Sequence, residues 1–302
     1  MSFHKNGVFL MMVGNVFFAF LPVTVRLADR LGCSSSQTTF FRFIFAGLGV
    51  LALTILGWQK LRAVNTKALV WRGLFGALTI LAYFLALHWT SAAKASLLNN
   101  TNAIWANVYA VIFLRHKPVK GFAPLLLMAV AGVWLVLGVG FASLNAGDVA
   151  GMLSGALAGG GALATREARR TDNALTVFAS FTFFGFLFSG LFLWAGPWLG
   201  PGVAPLCRWT PLDGNMWMAL LAMGATAMAG QLLFTQGCIH ASLAAGTLLS
   251  LTVPVMAALL GIFVLHEPVA PHFVLGTVLV LAACGWFGWK ARNESYPVSS
   301  VL

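Results

Sequence analysis

Apolar residues run along the chain in ten blocks of near-bilayer length, separated by short polar or basic interruptions. The blocks fall at approximately 7–25, 36–57, 69–88, 94–114, 122–142, 148–165, 174–196, 215–236, 242–265 and 271–289. A helix needs about 20 apolar residues to cross the hydrocarbon core, so the pattern predicts ten transmembrane helices. Most joins are short. The exception is 197–214, where Pro197, Pro201, Gly202, Pro205 and Pro211 accompany Trp198 and Trp209. It reads as an irregular loop at the membrane interface, where tryptophan rings prefer to sit.

Two of the blocks repeat one another. Laid side by side, Ala95–Leu114 and Gly246–Leu265 match Leu97 with Leu248, Leu98 with Leu249, Thr101 with Thr252, Ala106 with Ala257 and Leu114 with Leu265. One skipped residue then brings Pro118-Val119 onto Pro268-Val269. Each copy is fourth in a run of five blocks. Five is odd, so the second half must enter a membrane with the opposite orientation to the first. Inverted repeats of this kind mark secondary transporters, with a binding site between the halves near the midplane. The expected fold is an all-α membrane protein of ten transmembrane helices in two inverted five-helix repeats, 1–145 and 146–292, followed by a cytoplasmic tail, 293–302.

Composition narrows the class. Of 302 residues, 60% are hydrophobic and only 8% charged, against about 25% charged in a soluble domain. The net charge of +11 does not point to nucleic acid, because the basic residues form short clusters between apolar blocks without a recognition motif. They fix orientation instead. With the N-terminus inside, thirteen fall on the inner side: Lys5, Lys60, Arg62, Lys67, Arg72, Arg115, Lys117, Lys120, Arg166, Arg169, Arg170, Lys290 and Arg292. Four, Arg26, Arg30, Lys94 and Arg208, fall outside. That bias follows the positive-inside rule and predicts a multi-pass protein of the cell (inner) membrane with both termini cytoplasmic. Lys5 precedes a block of transmembrane length with no cleavage site after it, so no cleaved signal is expected. Cys33, Cys207, Cys238 and Cys284 are too scattered for a disulfide framework or metal site. Cys33 and Cys207 share the outer side, which leaves a bridge or two free thiols open.

Polar residues inside apolar blocks carry the candidate chemistry, because lipid cannot satisfy them. The fourth block holds Asn99, Asn100, Asn102 and Asn107. Four amides offer many donors and acceptors without net charge, which suits a polar or zwitterionic solute; interhelical hydrogen bonding uses the same groups. Asn15, Gln231 and Thr235 are further polar candidates, and Tyr83 and Trp105 could wall a cavity. Arg42 is the one full charge well inside a block, with snorkelling to the interface, a structural pairing or a substrate carboxylate as its readings. His88, near the outer end of the third block, is the most plausible protonatable group. Pro254 could kink or unwind its helix at mid-membrane depth. Gly155 and Gly159 continue a stripe from Gly151 that lets a neighbouring helix approach closely.

All seven acidic residues, Asp29, Asp148, Glu167, Asp172, Asp213, Glu267 and Glu294, lie in joins or at block ends. Ion-coupled carriers commonly keep a carboxylate mid-membrane, so facilitated movement gains ground. No nucleotide-binding loop, nucleophile elbow or Cys-His cluster is present in the sequence. No enzyme activity, cofactor or metal is expected.

The chain resembles the drug/metabolite transporter superfamily, in particular its EamA-like branch. The matching pieces are Arg42-Phe43-Ile44-Phe45-Ala46, Tyr83-Phe84-Leu85-Ala86-Leu87-His88 leading to Ala92-Ala93-Lys94-Ala95, and Pro254-Val255-Met256-Ala257 through Gly261 to Leu265-His266-Glu267-Pro268. Leu114-Arg115-His116-Lys117-Pro118 departs from the family, which often has a glutamate there, and the fourth block is asparagine-rich where a proline is commoner. The resemblance implies a basket of ten helices around a cavity lined mainly by spans 1, 3, 4, 6, 8 and 9, exposed alternately to the two membrane faces. The expected function is export of small polar metabolites such as amino acids. The alternatives are a carrier of larger conjugates, such as nucleotide-linked sugars or sulfur-containing cofactors, and a non-transporting receptor or scaffold. Phosphate-bearing conjugates would need basic residues in the cavity, and only Arg42 is expected there. The partners are the solute and the bilayer; the sequence is compatible with a monomer and does not fix the oligomeric state.

Overall fold

The computed structural model describes residues 7–113, 122–137, 144–198, 200, 203–237, 250, 252–266 and 271–293. Among them are eleven α-helices and no strand: α1 (Gly7–Arg30), α2 (Ser35–Ile55), α3 (Thr66–Trp89), α4 (Ala92–Asn100), α5 (Asn102–Phe113), α6 (Phe122–Leu137), α7 (Ala146–Ala168), α8 (Ala174–Ala195), α9 (Gly214–Gly237), α10 (Thr252–Leu265) and α11 (Pro271–Asn293). In lipid each backbone N–H and C=O must be satisfied within its own segment, which leaves the helix as the local solution for apolar runs. Among the described residues, five segments are long and apolar enough to cross a bilayer: Phe9–Arg30, Ser35–Ile55, Thr66–Trp89, Ala174–Trp198 and Gly214–Gly237. Thr252–Leu265 and Pro271–Ala283 are shorter apolar helices. The chain is a multi-pass membrane protein.

Side-chain caps decide where helices start. Ser34, Asn65, Ser91, Asn145 and Asn173 each accept a bond from the backbone N–H three residues on, satisfying a donor that has no partner within the helix. Hydropathy alone places α3 three residues too late because it reads Thr66 and Lys67 as loop. The capped helix includes them.

The fourth block is not one helix. It breaks at Thr101, between α4 and α5. Thr101 donates its hydroxyl to the Leu98 carbonyl at 2.6 Å, and Asn100 Nδ2 donates to the Ser96 carbonyl at 2.8 Å. These side chains compete with the ladder for its own acceptors, and the Thr101 N–H tightens onto Leu98 O at 3.2 Å. Pro254 is buried near the start of the described stretch of α10, and the stretch before it, 238–249 and 251, on which its expected kink would show, lies outside the described residues.

The helices pair as α1 with α9, α3 with α7 and α6 with α11, while α2 packs on α8 and α9 and α3 also on α8. In addition, α10 packs on α1 and α4, and both α4 and α5 lie on α7. Arg26 and Arg30 belong to α1 rather than to a loop. Their guanidiniums donate to Leu87 O at 2.9 Å and Leu265 O at 2.8 Å, carbonyls that the ends of α3 and α10 leave without helical donors. The segment between α8 and α9 carries short 3-10 turns at Gly196–Trp198 and Ala204–Cys207. Gln37 of α2 holds it by exchanging bonds with Thr210 at 2.8 and 3.1 Å. Trp198 and Trp209 are exposed. Cys33 and Cys207 are buried free thiols, and burial raises both above the ordinary thiol range.

At the opposite end, buried Asp172 ties the α2–α3 connection to the α7–α8 turn. Its Oδ1 accepts from Val64 N–H at 2.7 Å, and its Oδ2 from Asn65 N–H at 3.0 Å and the Thr171 hydroxyl at 2.7 Å. Desolvation alone would raise this carboxyl, but those three bonds and the Arg169 charge outweigh it and hold it below its ordinary 3.8. A depressed carboxyl stabilises the fold above its unfolded value, and that contribution disappears as pH falls through the lower folded value. Asp172→Asn is therefore expected to cost about 1.5–3 kcal/mol at neutral pH. Its deficit relative to wild type should shrink as pH drops below about 4, as thermal unfolding from pH 7 to 3 would show.

Candidate functional site

A cavity of about 230 Å³ opens among α1, α2, α3, α4, α5, α7, α8, α9 and the start of α10. Each helix brings one face. From α3 come Arg72, Gly76, Thr79, Ile80 and Tyr83, at the three- and four-residue steps that align on a helix. From α7 come Ala158, Gly161, Ala162, Thr165 and Arg166, and from α1 Met11, Asn15, Phe18 and Leu21. Pro22 lies within α1 just beyond this face and removes the bond its N–H would make to Phe18 O. The remaining wall includes Asn99, Asn100, Asn102, Phe181, Gln231, Phe234, Ser250 and Val253.

Of the residues singled out from sequence, the structure gathers Asn15, Arg42, Tyr83, Asn99, Asn100, Asn102 and Gln231 around this space. The Tyr83 hydroxyl pairs with Ser96 Oγ at 2.8 Å, which fixes the ring against α4. Gln231 Nε2 donates to Thr235 Oγ1 at 3.2 Å, and Thr235 itself is buried outside the wall. Trp105 also lies outside it, tilted beside Tyr109 with ring centroids 6.1 Å apart and set against Gly159 of α7. The Asn107 side chain lies outside the described residues. So do the repeat matches at 246–249 and 114–119, Cys238, Glu267 and the tail from 294.

His88 stands away from the cavity. Its Nδ1 meets Asp29 Oδ1 of α1, while Arg26 of α1 lies 3.8 Å from the other carboxylate oxygen. Gly151, Gly155 and Gly159 of α7 face Leu98, Thr101 and Trp105, so the glycine stripe lies against the α4–α5 break.

Two expectations need correction. Arg42 does not snorkel: it is 2% exposed, and its guanidinium carbon lies 5.0 Å and 5.2 Å from the ring centres of Phe43 and Phe181. Nor is it the one basic residue of the cavity. Arg72 and Arg166 also line it, and Arg72 sits 4.3 Å above the Phe181 ring. Gly76 makes room for Arg72: a Cβ there would collide with its Nη1. Both arginines fall at or near block ends, where the sequence pattern counts them only among the inner-side charges. The signal that would have found Arg72 is its register with Gly76, Thr79 and Tyr83. Among the described residues, no acidic side chain lines the cavity.

The model of the EamA-like transporter family matches residues 5–138 and again residues 145–288. The chain is 24% identical over 242 residues to "Pseudopaline exporter CntI" of Pseudomonas aeruginosa strain UCBPP-PA14, covering 79% of this chain and 80% of that protein. The protein of the same name from strain PAO1 matches to the same extent. A solved crystal structure superposes with a TM-score of 0.67 at 18% identity, covering 96% of this chain and 99% of the other, which speaks to the fold alone.

Proposed function

The chain belongs to the EamA-like transporter family, and from that premise we propose that it exports small polar metabolites, such as amino acids, by alternating access through the cavity just described. One observation carries the reading: a cavity lined from nine of the described helices, with amides and arginines in its wall, within a largely apolar bundle. Polar groups of this kind are kept inside a membrane protein where they face a pathway or one another. The two relatives named as exporters support the outward direction.

The proposed architecture is ten spans in two inverted repeats, 1–145 and 146–292, in the inner membrane with both termini and the 293–302 tail cytoplasmic. Supporting it, the α1–α9 and α3–α7 pairs exchange under a two-fold that relates spans five apart, and so do the α1–α10 and α4–α7 pairs. The pairs α2–α8 and α6–α11 map onto themselves. Thr101 and Thr252, matched in the sequence repeat, stand at the α4–α5 break and at the start of α10. The cavity's volume of about 230 Å³ is below the roughly 300–1,000 Å³ of drug-sized sites. That size favours small metabolites over nucleotide-linked conjugates, although Arg72 and Arg166 supply the charge such conjugates would want.

Efflux of a labelled amino-acid panel from proteoliposomes tests the proposal, with wild type beside Asn99→Leu and Gln231→Leu. Losing one substrate hydrogen bond worth about 1.4 kcal/mol lowers affinity tenfold, so each variant should need about tenfold more substrate for half-maximal efflux. Retention of every solute in wild-type vesicles would sink the transport reading and leave a binding-only protein. An imposed pH gradient that drives wild-type efflux would replace facilitation by proton coupling.

A further inference from the structure

The readings that the sequence leaves open for Arg42 were snorkelling, a structural pairing and a substrate carboxylate. Snorkelling fails because the side chain is 2% exposed. A structural ion pair fails on the acids of the chain. Asp29 meets His88 and Arg26, Asp148 meets Lys94, and Glu167 meets Arg170. Asp172 accepts from the Val64 and Asn65 N–H groups and the Thr171 hydroxyl, and Asp213 accepts from the Met216 N–H at 2.7 Å in the first turn of α9. Glu267 and Glu294 lie outside the described residues. Every described carboxylate is therefore engaged elsewhere, and none of them lines the cavity.

Arg42 does line the cavity, and its Nε and Nη1 are buried without a hydrogen-bond partner among the described residues. A guanidinium carries five N–H donors and keeps its charge, and holding such an ion out of water without a counter-charge is costly. The Phe43 and Phe181 rings steady it through their π faces, but they supply no negative charge and leave both nitrogens unbonded. The complement of this group is a single carboxylate, which a guanidinium takes through two parallel bonds. A neutral amino acid brings one. Asn99 Oδ1, a buried acceptor in the same wall without a partner among the described residues, suits the ammonium group that comes with it.

Resting on the transport reading above, we propose that Arg42 anchors the free carboxylate of the transported solute and so restricts the substrates to small amino acids whose carboxylate is unblocked. Simple amines, polyamines and amino-acid amides are excluded, because none of them brings an anion to the guanidinium. Arg42 selects for one carboxylate and not for net charge, so a zwitterion satisfies it in full.

The test uses the full chain in detergent, where a ligand that binds the folded state raises the unfolding midpoint. The probes are the twenty standard amino acids, with the carboxamide and the decarboxylated amine of each one that raises the wild-type midpoint, and sodium chloride beside them. At least one amino acid should respond, and neither of its derivatives should match it at the same concentration. In Arg42→Met the half-maximal concentration of that amino acid should rise at least tenfold, and its advantage over its own amide should vanish. That second result separates an anchor at Arg42 from a general preference of a basic cavity. Arg42→Lys keeps the charge and carries the test should Arg42→Met fail to fold; an ammonium lacks the planar fork, so it should keep the preference at weaker affinity. Without ligand, Arg42→Met should unfold no earlier than wild type, because it removes an uncompensated buried charge. Earlier unfolding with the acid preference intact would make Arg42 a structural cation and overturn the proposal. So would silence from all twenty amino acids, equal responses to an acid and its amide, a chloride response as large as any amino acid's, or an Arg42→Lys response as tight as wild type. Proteoliposome efflux keeps the two readings apart. Acid-selective binding without flux defeats transport and leaves the anchor standing. Flux of amides at the rate of the acids defeats the anchor and leaves transport standing.

Discussion

Lys94→Met is expected to destabilise the protein by roughly 3–5 kcal/mol, the usual cost of stripping one partner from a buried ion pair. Asp148 is fully buried at the start of α7, and Lys94 Nζ at the start of α4 lies 2.7 Å from its Oδ1. The carboxylate's other oxygen accepts from the Asn145 N–H at 3.3 Å, while Asn145 Oδ1 accepts from the Asp148 N–H at 2.9 Å. This reciprocal cap starts α7, and a negative charge suits a helix N-terminus. Lys94 is the group that neutralises it. Without the lysine, the carboxylate keeps its cap but loses the charge that offsets its desolvation. Thermal unfolding of Lys94→Met, Asp148→Asn and the double variant checks this. The double variant should recover most of the loss, because an amide fills the cap without needing a cation. An unchanged midpoint in Lys94→Met would mean that Asp148 is satisfied without the lysine.

The helical class and most helix positions were legible because they follow from one-dimensional quantities. Apolar runs found every described helix, and their ends differ from the observed ones mainly where a cap or an end-capping arginine extends the helix. Asn65 draws Thr66 and Lys67 into α3, and α1 runs on through Arg26 to Arg30. The break at Thr101 was harder to see. It depends on two side chains bending back to carbonyls of their own turn, and asparagines and threonines do this in some helices and not in others. The amide cluster and Arg42 stood out as polar residues in apolar blocks. Arg72 and Arg166 did not, because a charge within one or two turns of a block end looks the same whether it faces water or a cavity. That choice depends on which face of α3 meets α7 and α8, a long-range contact that spacing alone does not encode. His88 shows the same gap: its partner Asp29 is 59 residues away, so the tie it makes between α1 and α3 is not written in the spacing of its own block.

Gly155→Leu should strike stability and transport together. A Cβ at Gly155 would run into Thr101 Oγ1 and the Leu98 carbonyl, while one at Gly151 would stand 2.8 Å from Leu98 Cδ1 and one at Gly159 2.7 Å from Trp105 Cβ. The obstacle at Gly155 includes backbone, which cannot swing aside as a side-chain tip can. Overpacking of this sort costs about 1–3 kcal/mol and occasionally more. The transport effect should be larger than that loss of stability implies. The residues pushed aside are those of the α4–α5 break, which sets Asn99, Asn100 and Asn102 in the cavity wall. A displacement on the order of 1 Å can lose a hundredfold in a positioned interaction, so efflux should fall to background even in protein that remains folded and monodisperse. Gly155→Ala should show a weaker form of both effects. Gly214→Ala is the control, since a Cβ there meets nothing within 4 Å, and it should leave the midpoint and the flux unchanged. If Gly155→Leu lowers the midpoint but spares efflux, the stripe is packing alone. If it stops efflux at an unchanged midpoint, α7 has yielded without cost, and the cavity wall depends on the closeness of α4 to α7 more than the fold does.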